Sequence, residues 1–458
     1  MKAPSVANGC ERWRAEKCSS MTHMVDVAPL APLAYAPELL PLVVAPPYDV
    51  IDAELRGTLQ ARHPENVVHI DLPRGEGAEK YAEARRLLSK WQERGVLRRE
   101  RQPAFWRYEQ TFDPPGGGPR RTRCGFFALV RVEPYASRII LPHERTLTGP
   151  KLDRLELGRA TRTAISPGFM LYSDPERVLD AHLDDGDTFA DFTTDDGVRH
   201  RISRVSRATS VVRIATALAD ARLLIADGHH RYETALALSA EIDAEALAAG
   251  HRVAERAEHH YFPALLANGD DPGLLVFPTH RLVHSLPEAD LSTLVVRAEA
   301  LFAVTPASGE IDDLVAALDR APDDAMCVVA PDGRAVLLVA RNDVDLEAHP
   351  VLGKRPGLLR QTAVTLLHDG VFEHLLGITP EAQAAKTNLR YLQDARAGVR
   401  ALGSGEAQLL FLMKATPVSV VRAVAEAGEV MPQKSTFFHP KVPTGLFFHT
   451  LDPTRSVS

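Results

Sequence analysis

Cysteine is scarce in this chain. Its 458 residues include four, Cys10, Cys18, Cys124 and Cys327, and no two are spaced as a CxxC pair. That scatter argues against a disulfide framework or a zinc ribbon and suits a reducing cytosol, so a cytoplasmic location is expected. Long hydrophobic runs are missing too: no window approaches 18 uninterrupted apolar residues, and no membrane span is expected. Positive charge is not in excess. Lys and Arg number 53 against 60 Asp and Glu, a net charge of −7, so the global basic footprint of a nucleic-acid binder is absent and only a local patch remains open. The opening "MKAPSVANGCERWRAEKCSSMTHM" has cations but no apolar core, which excludes a secretory signal. Residues 1–24 read as a disordered extension or an early start codon, with Met21 or Met24 as the alternative start. There is no internal repeat, and the 33 prolines are spread as turns.

What is present is an ordinary globular composition, 45% hydrophobic and 25% charged, enough for two or three domains. "PLVVAPPYDVI", residues 41–51, reads as a short buried strand broken by Pro46-Pro47, with Tyr48 and Asp49 in a rigid turn, and "NVVHIDLP" as a second strand. "EKYAEARRLLSKWQERGVL" has helical spacing and a terminator at Gly95. "PAFWRYEQTF" and "RTRCGFFALVRV" predict an antiparallel hairpin around "DPPGGGP". "LPHERTLTGPKLDRLELGRATRTAISPGFMLYSD" reads as a polar loop dense in reactive side chains, and residues 175–215 as a small sheet. Residues 286–350 read helix-helix-strand-strand, an α/β insertion or subdomain. The expected division is therefore a phosphate-binding region over 25–285, the insertion over 286–350, and a C-terminal region over 351–458 packing on the core.

One stretch stands out. In "ARLLIADGHHRYETALAL", residues 221–238, an apolar strand ends at Asp227 and a helix begins after Gly228. Glycine permits positive φ or close backbone approach at such a turn, and the first turn of a helix welcomes an anion through unpaired N–H groups and partial positive charge. His229, His230 and Arg231 add donors at the same place, and an arginine can grip phosphate through two parallel bonds. A bland reading stands beside this one: Asp227 as a helix cap and the histidines as satisfied surface groups. His229 and Glu233 share a helix face and "HH" recurs at His259-His260, but the HExxH order is absent and no third ligand is evident. No metal held by side chains is expected.

The chain resembles, over nearly its whole length, the domain of unknown function 1015 family. The resemblance rests on "VVAPPYDVI", "PHERTLTGPKLDRL", "SPGFMLYSD", "LLIADGHHRYETAL", "LLFLMKATPV" and "MPQKSTFFHPKVPTGL", in that order. "DGHHR" in turn is similar to the phosphate-binding turn of the ParB/sulfiredoxin-like superfamily, nearest to that of an archaeal kinase of free serine. These resemblances imply an α+β (mixed α/β) fold with a ParB/sulfiredoxin-like core, an α/β insertion and a C-terminal extension. They also imply a nucleotide site for ATP, ADP or another nucleotide with Mg²⁺.

Phosphoryl transfer needs positioned phosphates, cations and an orienter for the acceptor. The expected phosphate-binding set is Gly228, His229, His230 and Arg231 with Lys151 and Arg154. Asp227 and His230 are candidate catalytic groups, and Glu144 is the candidate base, a role the serine-kinase resemblance implies for a glutamate opposite the motif. His143 and Arg145 flank it. Tyr48, Asp49, Lys434, Ser435 and Thr436 are candidate substrate contacts. The expectation is a nucleotide-dependent phosphotransferase acting on a small hydroxyl metabolite, with free serine the leading acceptor. A nucleotide-bound switch and a hydrolase sharing the phosphate site are the alternatives. Expected partners are the nucleotide and a small substrate, with no membrane and no nucleic acid, and a homodimer is compatible with the composition.

Overall fold

The computed structural model describes residues 24–115, 117–144, 148–184 and 186–458. All but Met24 of the expected N-terminal extension, together with Arg145, Cys10 and Cys18, lies outside the described residues.

The period-2 stretches form a mixed sheet in which nine strands are described. Its spatial order is Ile140–Leu141, Leu223–Asp227, Gly168–Tyr172, Tyr261–Asn268, Arg121–Arg131, Phe105–Phe112, Arg199–Val205, Asp187–Thr193, with Val27–Ala28 pairing beside Arg121–Arg131. The predicted hairpin is there, antiparallel with Trp106 opposite Phe127 and Tyr108 opposite Gly125. Tyr261–Asn268 runs parallel to Gly168–Tyr172, and Leu223–Asp227 parallel to Ile140–Leu141. Alternation sends Phe126, Ala128, Phe262 and Leu266 to one face, against Ile214 and Leu218 of helix Ala208–Leu218. Phe127, Leu129, Leu265 and Ala267 go to the other, against Trp91 of helix Glu79–Glu93. Both faces are therefore buried, which is why the central strands read as nearly continuous apolar runs.

A second, six-stranded sheet is antiparallel throughout, in the order Phe302–Ala307, Ala335–Ala340, Met326–Val329, Leu409–Met413, His280–Val283, Leu389–Leu392. Its strands come from both sides of the boundaries expected at 285 and 350. After helix Val418–Glu426 the chain returns to the first sheet, where Met431, Phe438, Val442, Leu446, Phe447 and Phe448 join the core of the N-terminal region. The fold is α+β.

Several local expectations differ from the structure. "NVVHIDLP" is not a strand but contains the short helix Val68–Asp71. Asn66 starts it, accepting from the Val68 N–H (3.0 Å) while its amide donates to the Leu42 carbonyl (2.8 Å), and so short an apolar run carries no decisive period. "PLVVAPPYDVI" holds the helical turn Leu40–Val43, with Pro41 at its start, and a 3₁₀ turn at Tyr48–Val50. The polar segment expected as a loop contains helix Thr148–Thr161. Its charges are met by neighbouring elements, Arg154 by Asp71 and Arg159 by Glu241, so polarity there marks ion pairing rather than absence of structure. Within 286–350 an additional strand, Phe302–Ala307, separates the two helices. In the C-terminal region, Leu366–Leu375 is a π-helix. Among the described residues no helix is long and apolar enough to cross a membrane.

Candidate functional site

Strand Leu223–Asp227 and helix His229–Ala248 meet at Gly228, whose φ of +93° lies in the left-handed region. A side chain there is disfavoured: the conformation favours glycine, and a Cβ would sit 3.0 Å from Arg231 Nε, which would have to give way. Arg231 folds back across the turn. It donates to Asp227 Oδ2 at 2.5 Å and to the Pro167 carbonyl. Asp227 Oδ1 accepts from Lys441 Nζ at 2.7 Å. Burial alone would raise the Asp227 carboxyl, yet Lys441, Arg231 and the more distant Lys434 together hold it well below the usual carboxylate range.

The neighbouring histidines are fixed by backbone. His143 is fully buried; its Nδ1 donates to the Ile225 carbonyl at 2.6 Å and its Nε2 meets Thr436 Oγ1 at 2.8 Å. The His143 amide donates to His229 Nε2 at 3.3 Å, and the rings meet edge to face. Burial, then His143, lowers His229 to about 3, so it is neutral at physiological pH. His230, half-buried, is lowered as well, by burial, in a field set by Glu233, Asp49, Lys434 and Glu144.

Glu144 lies where the chain leaves strand Ile140–Leu141 and pairs alongside Met431. Its carboxylate accepts from the Lys434 and Thr436 amides at 3.2 and 3.3 Å. Burial opposes its ionisation, but His143, His229 and Lys434 bring it down to about 2. Lys434, itself at φ +56°, reaches to 3.8 Å from Asp49, and its carbonyl accepts from Arg281 of the second sheet at 3.0 Å. Tyr48 lies under the Arg154 guanidinium, 4.4 Å from the ring centre, and burial pushes its hydroxyl up to about 12. Four separate stretches of sequence thus meet at one place: Tyr48-Asp49, His143-Glu144, Asp227 to Arg231, and the loop 432–441.

Other candidates are placed differently. Arg154 is buried between Asp71 (2.8 Å) and Asp153 (2.5 Å), so its N–H groups are engaged and its face supports Tyr48. Lys151 pairs with Glu233 at 2.9 Å, on the first turns of helix His229–Ala248. Ser435 turns onto its own loop, donating to the Pro432 carbonyl at 2.5 Å, and Thr436 faces His143. Sequence reasoning missed Asp71, the Pro167 carbonyl and Arg281. Arg281 is buried, and its "THR" context resembles any strand end. Asp71 lay in a stretch read as a strand, with no local sign of its partner 83 residues away. Behind Arg231 a cavity of about 70 Å³ is lined by Asp71, Arg154 and Thr234 at its polar end and by Leu157 and Phe262 elsewhere.

The chain belongs to the DUF1015 family of proteins of unknown function, whose model matches residues 27–364. No curated protein matches it. Among solved structures it is similar to a conserved hypothetical protein from Pyrococcus furiosus (15% identity over 68% of this chain and 91% of that one, TM-score 0.34). It is also similar to a free serine kinase in complex with AMP (14%, 69% and 88%, TM-score 0.36) and to C-terminally truncated SbnI from Staphylococcus aureus (12%, 71% and 87%, TM-score 0.37). Scores this low do not establish a shared fold or a shared activity.

Proposed function

We propose that the turn at Gly228 binds the phosphates of a nucleotide and that the chain transfers a phosphoryl group to a small hydroxyl metabolite, free serine being the leading acceptor. One observation carries this reading. Beside the first turn of a 20-residue helix, opened by a left-handed glycine, Lys434 and Lys441 arrive from a distant loop and Glu144 and Asp49 from two others. The partial positive charge at the helix start and two lysine point charges suit phosphate oxygens. Arg231 contributes through its hold on Asp227 and on the turn.

In the transfer, the acceptor oxygen forms a bond to the terminal phosphorus as the bridging P–O bond breaks; the nucleotide leaves with the electron pair, and the hydroxyl proton passes by way of the Glu144 carboxylate to water. Little basicity is required for so loose a transition state. Glu144, ionised throughout the neutral range, has lone pairs beyond the two that face loop amides and orients the acceptor hydroxyl. Asp49, paired loosely with Lys434 at 3.8 Å, suits an ammonium group on the acceptor. A Mg²⁺ ion arriving with the nucleotide would offset charge on the phosphates. Both Asp227 oxygens already face cations, so Asp227 would not be free to hold it.

The test is nucleotide turnover by the full-length chain with Mg²⁺ and ATP, ADP or CTP, with and without L-serine, followed by ³¹P NMR, for wild type and Glu144→Gln. Acceptor-dependent formation of a phosphate monoester, suppressed in Glu144→Gln with nucleotide binding retained, is expected. Phosphate release independent of any acceptor would make the chain a hydrolase, and binding without turnover a switch. If no nucleotide raises the melting temperature, the reading fails.

A further inference from the structure

The far end of helix His229–Ala248 carries a cluster unrelated to the cleft. Asp243 lies about 21 Å along the helix axis from His229, at ~1.5 Å per residue. There it meets His259 and His260 on the 3₁₀ turn Glu258–His260 that leads into the central strand Tyr261–Asn268. His259 Nε2 is 2.8 Å from Asp243 Oδ1; His260 Nε2 is 3.0 Å from Oδ1 and 3.1 Å from Oδ2. All three ligand atoms lie within 4.8 Å of one another, and among the described residues no other cluster of this kind occurs.

We propose that Asp243, His259 and His260 form a binding site for a divalent transition-metal ion. Protein ligands bind such ions at about 2.0–2.2 Å, so two ligands at right angles stand about 3.0 Å apart, close to the 2.8–3.1 Å spacings here. Two imidazoles and one carboxylate suit Zn²⁺, Ni²⁺, Co²⁺ or Fe²⁺, whereas Mg²⁺ and Ca²⁺ call for oxygen ligands. The His259 side chain is fully buried and Asp243 is 38% exposed, so the site opens on one side, where water completes the coordination. An ion held there ties the end of the long helix to the start of the central strand. Imidazole ligands normally donate their second nitrogen to an acceptor, and neither His259 Nδ1 nor His260 Nδ1 has a hydrogen-bond partner among the described residues. The affinity therefore falls about 10–100-fold short of a fully supported site.

The probe is Co²⁺ and Zn²⁺ added to chelator-treated, tag-free full-length protein, with bound metal measured by equilibrium dialysis and Co²⁺ coordination by visible absorption. Wild type is expected to bind one equivalent of either ion and to melt at a higher temperature with it. Asp243→Asn and His260→Gln alter side chains that are 38% and 15% exposed and are expected to fold, as circular dichroism would show, and each to lose that equivalent. Mg²⁺ at the same concentration is expected not to compete. No bound transition metal in wild type, or one equivalent retained in both variants, would overturn the site and leave two imidazoles sharing protons with a carboxylate.

Discussion

The Arg231–Asp227 pair sets how rigid the Gly228 turn is, and removing it has a size that follows from its contacts. Arg231→Ala deletes the 2.5 Å bond to Asp227 and the donor to the buried Pro167 carbonyl. A hydrogen bond to a charged group contributes about 1.5–3 kcal/mol net, and a buried carbonyl left without a donor costs about 1–3 kcal/mol. Two features temper the loss. Lys441 still faces Asp227 at 2.7 Å, so the carboxylate is not left uncompensated, and water can enter from the adjoining cavity of about 70 Å³. The expected destabilisation is about 3 kcal/mol. The coupling between Arg231→Ala and Asp227→Asn, from the two single variants and the double, is expected near ~2 kcal/mol. Urea denaturation followed by tryptophan fluorescence reads it selectively, because Trp91 and Trp106 both lie in the core of the nine-stranded sheet and the second sheet's core contains no tryptophan. A coupling below about 0.5 kcal/mol would show that the pair does not hold the turn and that Arg231 serves the ligand alone.

Two further outcomes follow from the same geometry. Gly228→Ala places a β-carbon in a left-handed backbone and 3.0 Å from Arg231 Nε; a loss of at least about 1–2 kcal/mol is expected from the backbone alone, and an unchanged urea midpoint would contradict the strained turn. Acid is expected to destabilise the fold from near neutrality. Burial first of all lowers His229 and His368 to about 3 and His200, His280, His439 and His449 to about 4, whereas an unfolded imidazole titrates near ~6.5. Between those values the unfolded chain takes up protons that the folded chain refuses, so stability falls with pH by up to ~1.4 kcal/mol per unit per histidine. Glu144 and Asp153, held at about 2, carry the loss further below pH ~4.5, the ordinary carboxyl range. Coincident urea midpoints at pH 7 and pH 5 would show that these imidazoles are not neutral in the folded chain.

Much of the local architecture was legible because it is written at short range. The Phe105–Phe112 and Arg121–Arg131 hairpin has alternating side chains and a Gly-Pro-rich tip, and helix Glu79–Glu93 has apolar spacing and a glycine stop at φ +71°. The strand-to-helix turn at Gly228 is legible for the same reason: its apolar strand, glycine and helix former are consecutive. Errors fell where a short segment takes its state from distant neighbours. Val68–Asp71 is apolar enough for a strand, but Asn66 just before it is tied to the Leu42 and Val44 carbonyls and accepts from the Val68 N–H, and the segment is helical. Helix Thr148–Thr161 looked like a loop because its arginines are balanced by carboxylates on other elements.

The cleft divides in the same way. Residue types and local backbone were set by the sequence alone: a left-handed glycine, an anion-friendly helix start, a rigid Pro-Pro turn before Tyr48 and Asp49. Tertiary structure decided the electrostatics. Lys441 reaches Asp227 across 214 residues, Thr436 and Lys434 reach Glu144 across about 290, and Arg154 is drawn from its expected role at phosphate to Asp71. Periodicity specifies which faces must leave water, but not which strand lies next to which. A buried charge needs a partner within hydrogen-bond reach to offset its desolvation, and that partner is known only once the sheet order has brought the loop 432–441 back against the Gly228 turn.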